Sequence, residues 1–225
     1  MSDNWTKDEL RASVEAYLEI QRELRAGRKV VKKDFYKALA KRFKRTEKAY
    51  EYRMQNISYV MSISGREWIS GLRPARNVGA RVAAEIEAIL ANIEERAASP
   101  HVAFETQVQL EVAKRKLKRP SGNKAPNKTT TQTTNYERDP DVKAWVLITA
   151  KGFCECCRNR APFVSADGTQ FLEVHHVRRL ADEGSDTVEN AVALCPNCHR
   201  EFHHGSNSRK LVDRIYATVA RLVRE

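Results

Sequence analysis

The sequence predicts two domains, a mostly α-helical N-terminal domain and a small α+β C-terminal domain stabilised by zinc. Three observations indicate this fold class. Apolar residues recur at helical spacing over residues 1–98, a low-complexity basic stretch follows, and all five cysteines of the 225-residue chain lie between 154 and 198. We therefore expect a helical domain at 1–98, a flexible linker at 99–138 and a metal-binding domain at 139–225.

Four helices are expected in the first domain. Thr6-Lys-Asp-Glu9 has the spacing of a capping box, and Leu10, Val14 and Leu18 form a helical stripe behind it. The pattern predicts further helices over roughly 32–43, from near Thr46 onward, and over about 80–97.

Positive charge is concentrated before the cysteines. Residues 1–98 contain 20 basic and 14 acidic residues, residues 99–138 contain 8 and 3, and residues 139–225 contain 12 of each. This distribution favours a DNA-recognition role for the first domain, and the alternative is a helical bundle with a solvated basic face. The basic residues concerned are Lys32, Lys33, Lys37, Lys41, Arg42, Lys44, Arg45 and Lys48.

Residues 99–138 have the composition of a flexible linker. A basic run at 114–119 is followed by prolines and by a threonine-rich tract at 129–134. Such a segment cannot bury a core, so we expect a mobile tether whose lysines and arginines can contact phosphates.

The chain is expected to be cytoplasmic and to have no membrane partner. Its polar N-terminus lacks the features of a signal peptide, and no apolar run approaches the ~20 residues that span a bilayer. In a reducing compartment, Cys-x-x-Cys pairs favour zinc, and disulfides are the alternative.

Four cysteines form two such pairs. Cys154 and Cys157, with Cys195 and Cys198, provide the four thiolates of a closed structural zinc site. Cys156 is interpreted as a bystander, although it could replace a neighbour.

The histidines indicate a second, open site. His199 and His203 share one face of a predicted helix, whereas His175 and His176 alternate along a predicted strand. One of the adjacent pair can join His199 and His203 on a metal while the other faces a substrate and accepts a proton. The order strand, loop, strand, helix predicts a ββα unit, and a purely structural two-zinc finger is the alternative.

These motifs resemble the HNH, or ββα-metal, endonucleases of the four-cysteine zinc branch. The resemblance is closest to the catalytic domain of McrA-type modification-dependent restriction endonucleases, and it covers about residues 136–225. It does not extend to 1–98. The segments that carry it are Tyr136–Trp145, Gly152–Cys157, Ala161–Phe163, Leu172–Val177 and Ala193–Arg200.

The resemblance implies roles for individual residues. His176 would be the general base, and His175, His199 and His203 would hold one catalytic divalent ion. Asn190 would hold the loop that orients His176, and Glu173 would support a metal ligand or be merely solvated. Arg178 and Arg179 would contact phosphate, with a solvated edge as the alternative. These roles predict a structural Zn²⁺ and one catalytic cation.

The identity of that cation stays open. Three imidazoles suit Zn²⁺, Ni²⁺ or Co²⁺, whereas Mg²⁺ prefers oxygen ligands. The resemblance nonetheless implies that Mg²⁺ or Mn²⁺ could also be the working metal.

The resulting functional prediction is a metal-dependent DNA endonuclease that acts in restriction or defence and recognises DNA, modified or unmodified, through its first domain. Double-stranded DNA is the expected partner, and cutting both strands predicts a homodimer. The alternatives are a low-specificity nicking nuclease of a phage or mobile element, and a non-catalytic DNA-binding regulator.

Overall fold

A computed structural model of the chain describes residues 5–114, 118–128, 130 and 135–225. The chain divides into two compact units, residues 1–134 and residues 135–225. Parts of the predicted basic run (115–117) and of the threonine tract (129 and 131–134) lie outside the described residues. Among the helices that are described, none has both the length and the apolar character required to cross a bilayer.

The described part of the first unit contains five helices. They are α1 (Lys7–Arg25), α2 (Lys32–Phe43), α3 (Glu47–Ile63), α4 (Ala80–Ile93) and α5 (His101–Ala113). The predicted capping box is confirmed, because the Glu9 amide donates to Thr6 Oγ1 and the Thr6 amide donates to Glu9 Oε2. Thr46 caps α3 in the same way, through the Ala49 amide.

Helix α3 lies at the centre of the first core. Its Tyr50, Met54 and Ile57 are fully buried, and they belong to the same cluster as Tyr17 of α1 and Leu90 of α4. Helix α3 is buried on most of its faces, whereas its neighbour α2 is more exposed. Basic side chains of α2 therefore lie in solvent.

The stretch predicted as a linker begins with a helix. Over 101–113 the chain forms α5, which packs on α4 with Val102 and Thr106 buried. Val102 and Thr106 are four residues apart and so share one helical face. Ser99 is also attached to α4, because its amide donates to Glu87 Oε1 at 3.0 Å.

The second unit has the predicted ββα arrangement. Its elements are α6 (Pro140–Ala150), β1 (Glu173–His176), β2 (Ala191–Leu194), α7 (Pro196–His204) and α8 (Ser208–Thr218). Strands β1 and β2 pair antiparallel, with Glu173 opposite Leu194 and His176 opposite Ala191. The mostly helical first unit and small α+β second unit confirm the predicted fold class. The sequence had indicated no element for α8.

Strand β2 is the centre of the second core. All four of its residues are buried, with Val146 of α6 and Ile215 of α8 in the same cluster. Because β2 leads directly into Cys195 and α7, a rigid strand fixes the start of the helix that carries Cys198, His199 and His203.

Candidate metal centre and active site

Four thiols converge at one point of the second unit. The sulfurs of Cys154, Cys157, Cys195 and Cys198 all lie within 4.8 Å of one another, and those of Cys157 and Cys195 are 4.0 Å apart. Tetrahedral zinc with Zn–S bonds of about 2.3 Å requires sulfurs about 3.8 Å apart. All five cysteines are free thiols. The four side chains therefore fit a structural metal ion.

Backbone hydrogen bonds around this cluster favour the thiolate form of Cys154. Burial raises the pKa of Cys154, but hydrogen bonds from the backbone amides of Cys157, Cys195 and Cys156 outweigh burial and lower it. Burial raises the pKa of Cys195 and, further, that of Cys198. A divalent cation would compensate the charge that four thiolates concentrate here.

Cys156 lies outside the four-thiol group. It is buried, and its sulfur accepts a hydrogen bond from Arg214 Nη2 at 2.9 Å. That contact links Cys156 to α8.

Three imidazoles form a second cluster beside β1. Ligand nitrogens of His175, His199 and His203 lie within 4.8 Å of one another, and the two Nε2 atoms of His199 and His203 are 3.1 Å apart. Zinc–nitrogen bonds of about 2.0–2.1 Å imply nitrogens roughly 3.3 Å apart, so the three rings fit one ion with open positions. His199 and His203 follow each other by one turn of α7, as the sequence indicated.

The environment keeps His175 in its ligand form. Burial lowers the pKa of His175 well below its ordinary value, and the adjacent His203 and His199 lower it further. A neutral imidazole retains the lone pair that a metal needs. Glu173 Oε2 lies 2.8 Å from His199 Nδ1, which directs the other nitrogen of that ring toward His203.

His176 has different neighbours from His175. Successive side chains of a strand point to opposite faces, and His176 Nε2 lies 2.6 Å from Asp186 Oδ1. Burial raises the pKa of Asp186, but the Asp139 amide and His176 outweigh burial and lower it. Asp186 is absent from the predicted site residues, because it is one of four acidic residues in the loop between the two strands and nothing in the sequence distinguishes it.

Asn190 is fully buried and bonds to backbone on both sides of the loop that it closes. Its Oδ1 accepts from the Arg178 amide at 2.8 Å, and its Nδ2 donates to the carbonyls of Arg178 at 2.8 Å and Ser185 at 2.7 Å. The Val177 amide donates to the Asn190 carbonyl. One side chain thus joins the end of β1 to the start of β2.

The two arginines after β1 are half-buried. Arg178 Nε donates to the Asp182 carbonyl at 2.8 Å, and Arg178 Nη2 lies 3.6 Å from Glu183 Oε2. Arg178 is therefore engaged with its own loop, and the charge of Arg179 contributes to the low pKa of His175.

The comparisons define the class of this domain. Residues 154–205 match the family model of HNH endonucleases, and the match includes both clusters, His176 and Asn190. The second unit thus contains an HNH endonuclease domain.

The chain is similar to two McrA enzymes. The chain is 47% identical over 109 residues to the Type IV methyl-directed restriction enzyme EcoKMcrA of Escherichia coli (strain K12), a match that covers 48% of this chain and 39% of the relative. A solved structure of the Type IV phosphorothioation-dependent restriction endonuclease ScoMcrA aligns with a TM-score of 0.35 and 36% identity, over 37% of this chain and 17% of that one. The chain spans well under half the length of either protein.

Proposed function

We propose that the chain is a metal-dependent DNA endonuclease that hydrolyses phosphodiester bonds. One observation carries the proposal: a single HNH domain holds a four-thiol cluster that is closed and a three-imidazole cluster that leaves coordination positions open. The closed cluster is suited to holding the fold, and the open cluster is suited to a substrate.

His176 is the proposed general base. It sits next to the ligand residue His175 in β1, and Asp186 anchors one nitrogen of its ring. The other nitrogen can accept the proton of a water that attacks the phosphorus. When bound at His175, His199 and His203, a divalent cation supplies positive charge to the phosphate in the transition state. Zn²⁺, Ni²⁺, Co²⁺, Mn²⁺ and Mg²⁺ are the ions to compare.

Asn190, Arg178 and Arg179 complete the proposed site. The hydrogen bonds of Asn190 hold the loop behind His176 in one conformation. Arg178 and Arg179 follow the histidine pair after one intervening valine, where a guanidinium can contact a phosphate that approaches β1.

We further propose that the first unit recognises DNA through α2. Lys33, Lys37, Lys41 and Arg42 are all exposed on this helix, and Lys44 is exposed just after it. A basic helix face contacts phosphates and releases counterions, so its affinity falls with salt. The similarity to a methyl-directed restriction enzyme supports a defence role against modified double-stranded DNA. Two such chains acting as a homodimer would cut both strands.

Plasmid cleavage tests the catalytic proposal. Purified protein is incubated with supercoiled plasmid and each divalent cation in turn, and His176→Ala should abolish nicking and linearisation. His204→Ala is the matched control, since His204 is exposed on the same helix as two ligands and should leave cleavage intact. DNA binding without cleavage under every cation would instead favour the regulator.

Modified and unmodified plasmids test the substrate. Preferential cutting of methylated DNA is the expected result, whereas equal cutting of both plasmids favours the low-specificity nuclease. The triple variant Lys33→Ala/Lys37→Ala/Lys41→Ala should weaken DNA binding. Its affinity should also depend less steeply on salt concentration, as expected for the loss of about three phosphate contacts. A control triple variant at the exposed Lys7, Arg81 and Lys143 should change affinity less.

A further inference from the structure

The Asp186 carboxylate is held between two partners. Its Oδ1 lies 2.6 Å from His176 Nε2, and its Oδ2 accepts the Asp139 amide at 2.6 Å. Asp139 is the residue that caps α6, so the start of a helix fixes the direction of the carboxylate. The His176 side chain is 7% exposed and that of Asp186 is 20% exposed, which places their contact largely out of water.

This arrangement determines where a neutral His176 carries its proton. A neutral imidazole has one N–H and one lone pair, and an ionised carboxylate can only accept. Facing Asp186, Nε2 must be the donor. The lone pair is therefore on Nδ1, the nitrogen that remains to accept a proton.

We propose that Asp186 is a positioning residue that fixes the orientation and tautomer of His176, and that Asn190 acts partly through Asp186. The proposal rests on the proposed endonuclease function, in which His176 is the base. Asp186 does not touch the substrate. Its role is to hold one ring nitrogen so that the other is ready to accept a proton.

The loop around Asp186 is braced for this role. Asn190 Nδ2 donates to the carbonyl of Ser185, the residue before Asp186, and the Asn190 amide donates to the carbonyl of Thr187, the residue after it. Glu225 accepts from both the amide and the hydroxyl of Ser185. Asn190 is thus connected to His176 through the segment that carries Asp186, besides its bonds to Arg178.

A different role would follow if Asp186 blocked His176 until DNA displaced it. In that case, removing the carboxylate would leave the rate unchanged or raise it. The positioning role requires a lower rate, so one set of variants separates the two.

Asp186→Asn is the informative substitution because its outcome is directional. The amide oxygen is required by the Asp139 amide, so the –NH₂ group must face His176 Nε2. Nε2 then becomes an acceptor, and the proton moves to Nδ1. The substitution keeps the shape of the side chain and reverses the tautomer.

Nitrogen NMR of ring-labelled histidine reads this tautomer without any catalysis. Zinc-loaded full-length protein is examined at about pH 8.5, above the ordinary histidine range, and the His176 signals are assigned from their loss in His176→Gln. The parental protein should show Nε2–H and Asp186→Asn should show Nδ1–H. A parental Nδ1–H form, or the same tautomer in both proteins, would overturn the proposal.

Cleavage kinetics provide the second readout. Asp186→Asn should lower kcat about 100-fold or more with KM changed less than about twofold, and Asp186→Glu should recover part of kcat. Glu189→Gln, which removes one exposed carboxylate from the same loop, should match the parental rate. A parental or higher kcat in Asp186→Asn contradicts positioning. If the parental protein fails to cut DNA at all, the endonuclease proposal fails, while the NMR result still decides the tautomer.

Discussion

Glu155 and Arg221 form a two-point ion pair beside strand β2. Glu155 Oε1 and Oε2 lie 2.6 and 2.8 Å from Arg221 Nη1 and Nη2. Both side chains also bond the backbone of β2, since the Ala193 amide donates to Glu155 and Arg221 donates to the Ala191 carbonyl. The pair connects the segment between Cys154 and Cys157, strand β2 and the segment after α8.

Removing one partner of this pair should destabilise the second unit. The Glu155 side chain is 9% exposed, so Arg221→Ala leaves a buried carboxylate without its cation. We expect a loss of about 3 kcal/mol in the free energy of unfolding, measured by thermal unfolding at saturating zinc.

The matched control is another arginine of the same segment. Arg224 pairs with Asp213 in solvent, where the side chains are 60% and 68% exposed. Arg224→Ala should change stability by less than about 1 kcal/mol. Equal effects of the two substitutions would show that Glu155 does not depend on Arg221.

Cysteine substitutions should separate the metal ligands from the bystander. Cys198→Ser removes one of four convergent thiols, and we expect loss of the tightly bound zinc and of the folded second unit. Cys156→Ser should retain both, because Cys156 contacts Arg214 outside the group. Zinc content per chain is measured by elemental analysis, and a bound ion in Cys198→Ser combined with its loss in Cys156→Ser would reverse the assignment.

Two buried tyrosine hydroxyls in the first unit should respond differently to removal. The Tyr17 hydroxyl accepts the Ile69 amide at 3.0 Å and lies 2.9 Å from Ser58 Oγ. Tyr17→Phe leaves that amide unpaired, and we expect a cost of about 1–3 kcal/mol.

The comparison is Tyr59→Phe. The Tyr59 hydroxyl is buried without a hydrogen-bond partner among the described residues. Its removal should leave stability unchanged or raise it. Urea unfolding measures both variants, and a larger loss in Tyr59→Phe than in Tyr17→Phe would contradict the hydrogen-bond assignment.

Acid should remove the contribution of Glu9. The Arg45 guanidinium, at 2.5 Å, lowers the pKa of Glu9 below its ordinary value of 4.5 despite burial. A carboxyl whose folded pKa is depressed stabilises the fold above its unfolded pKa, and this contribution is lost as pH falls through the folded pKa.

Glu9→Gln keeps a side-chain acceptor at the capping-box position but loses the charge. Its stability deficit should be full near neutral pH and shrink below pH 4.5, the ordinary value. Melting temperatures from neutral to acid pH measure this change. Glu15→Gln, which removes an exposed partner of Arg11 at 3.7 Å, should show little deficit at any pH.

Local patterns predicted most of the fold correctly. The helix at 32–43, the Thr46 start and the ββα unit all follow from caps and hydrophobic period, which are encoded within a few residues. Helix α4 was expected to reach about 97 and ends at Ile93. Glu95 there takes a left-handed backbone conformation (φ 52°), and Glu94 and Arg96 form ion pairs with each other and with Arg66 and Glu87. Such distant partners have no signature in the local sequence.

The same distinction holds for the site. Spacing predicted the two candidate metal-binding groups, because the thiol group is built from two closely spaced pairs and the imidazole group from one pair and a histidine of β1. Asp186 and the Glu155–Arg221 pair could not be predicted, since each contact depends on how a loop or the last segment folds back onto the hairpin. The roles of His176 and Asn190 remain predictions, and His176→Ala tests the first of them.

Helix α7 carries members of both clusters on consecutive residues, Cys198 and His199. An ion bound by the thiols would fix the first turn of this helix, and so the direction in which His199 points. The two metal affinities are then thermodynamically coupled. The factor by which one bound ion changes the affinity of the other is the same in both directions. The four-thiol cluster would in this way change how tightly the histidine cluster holds its cation, although it never contacts that cation.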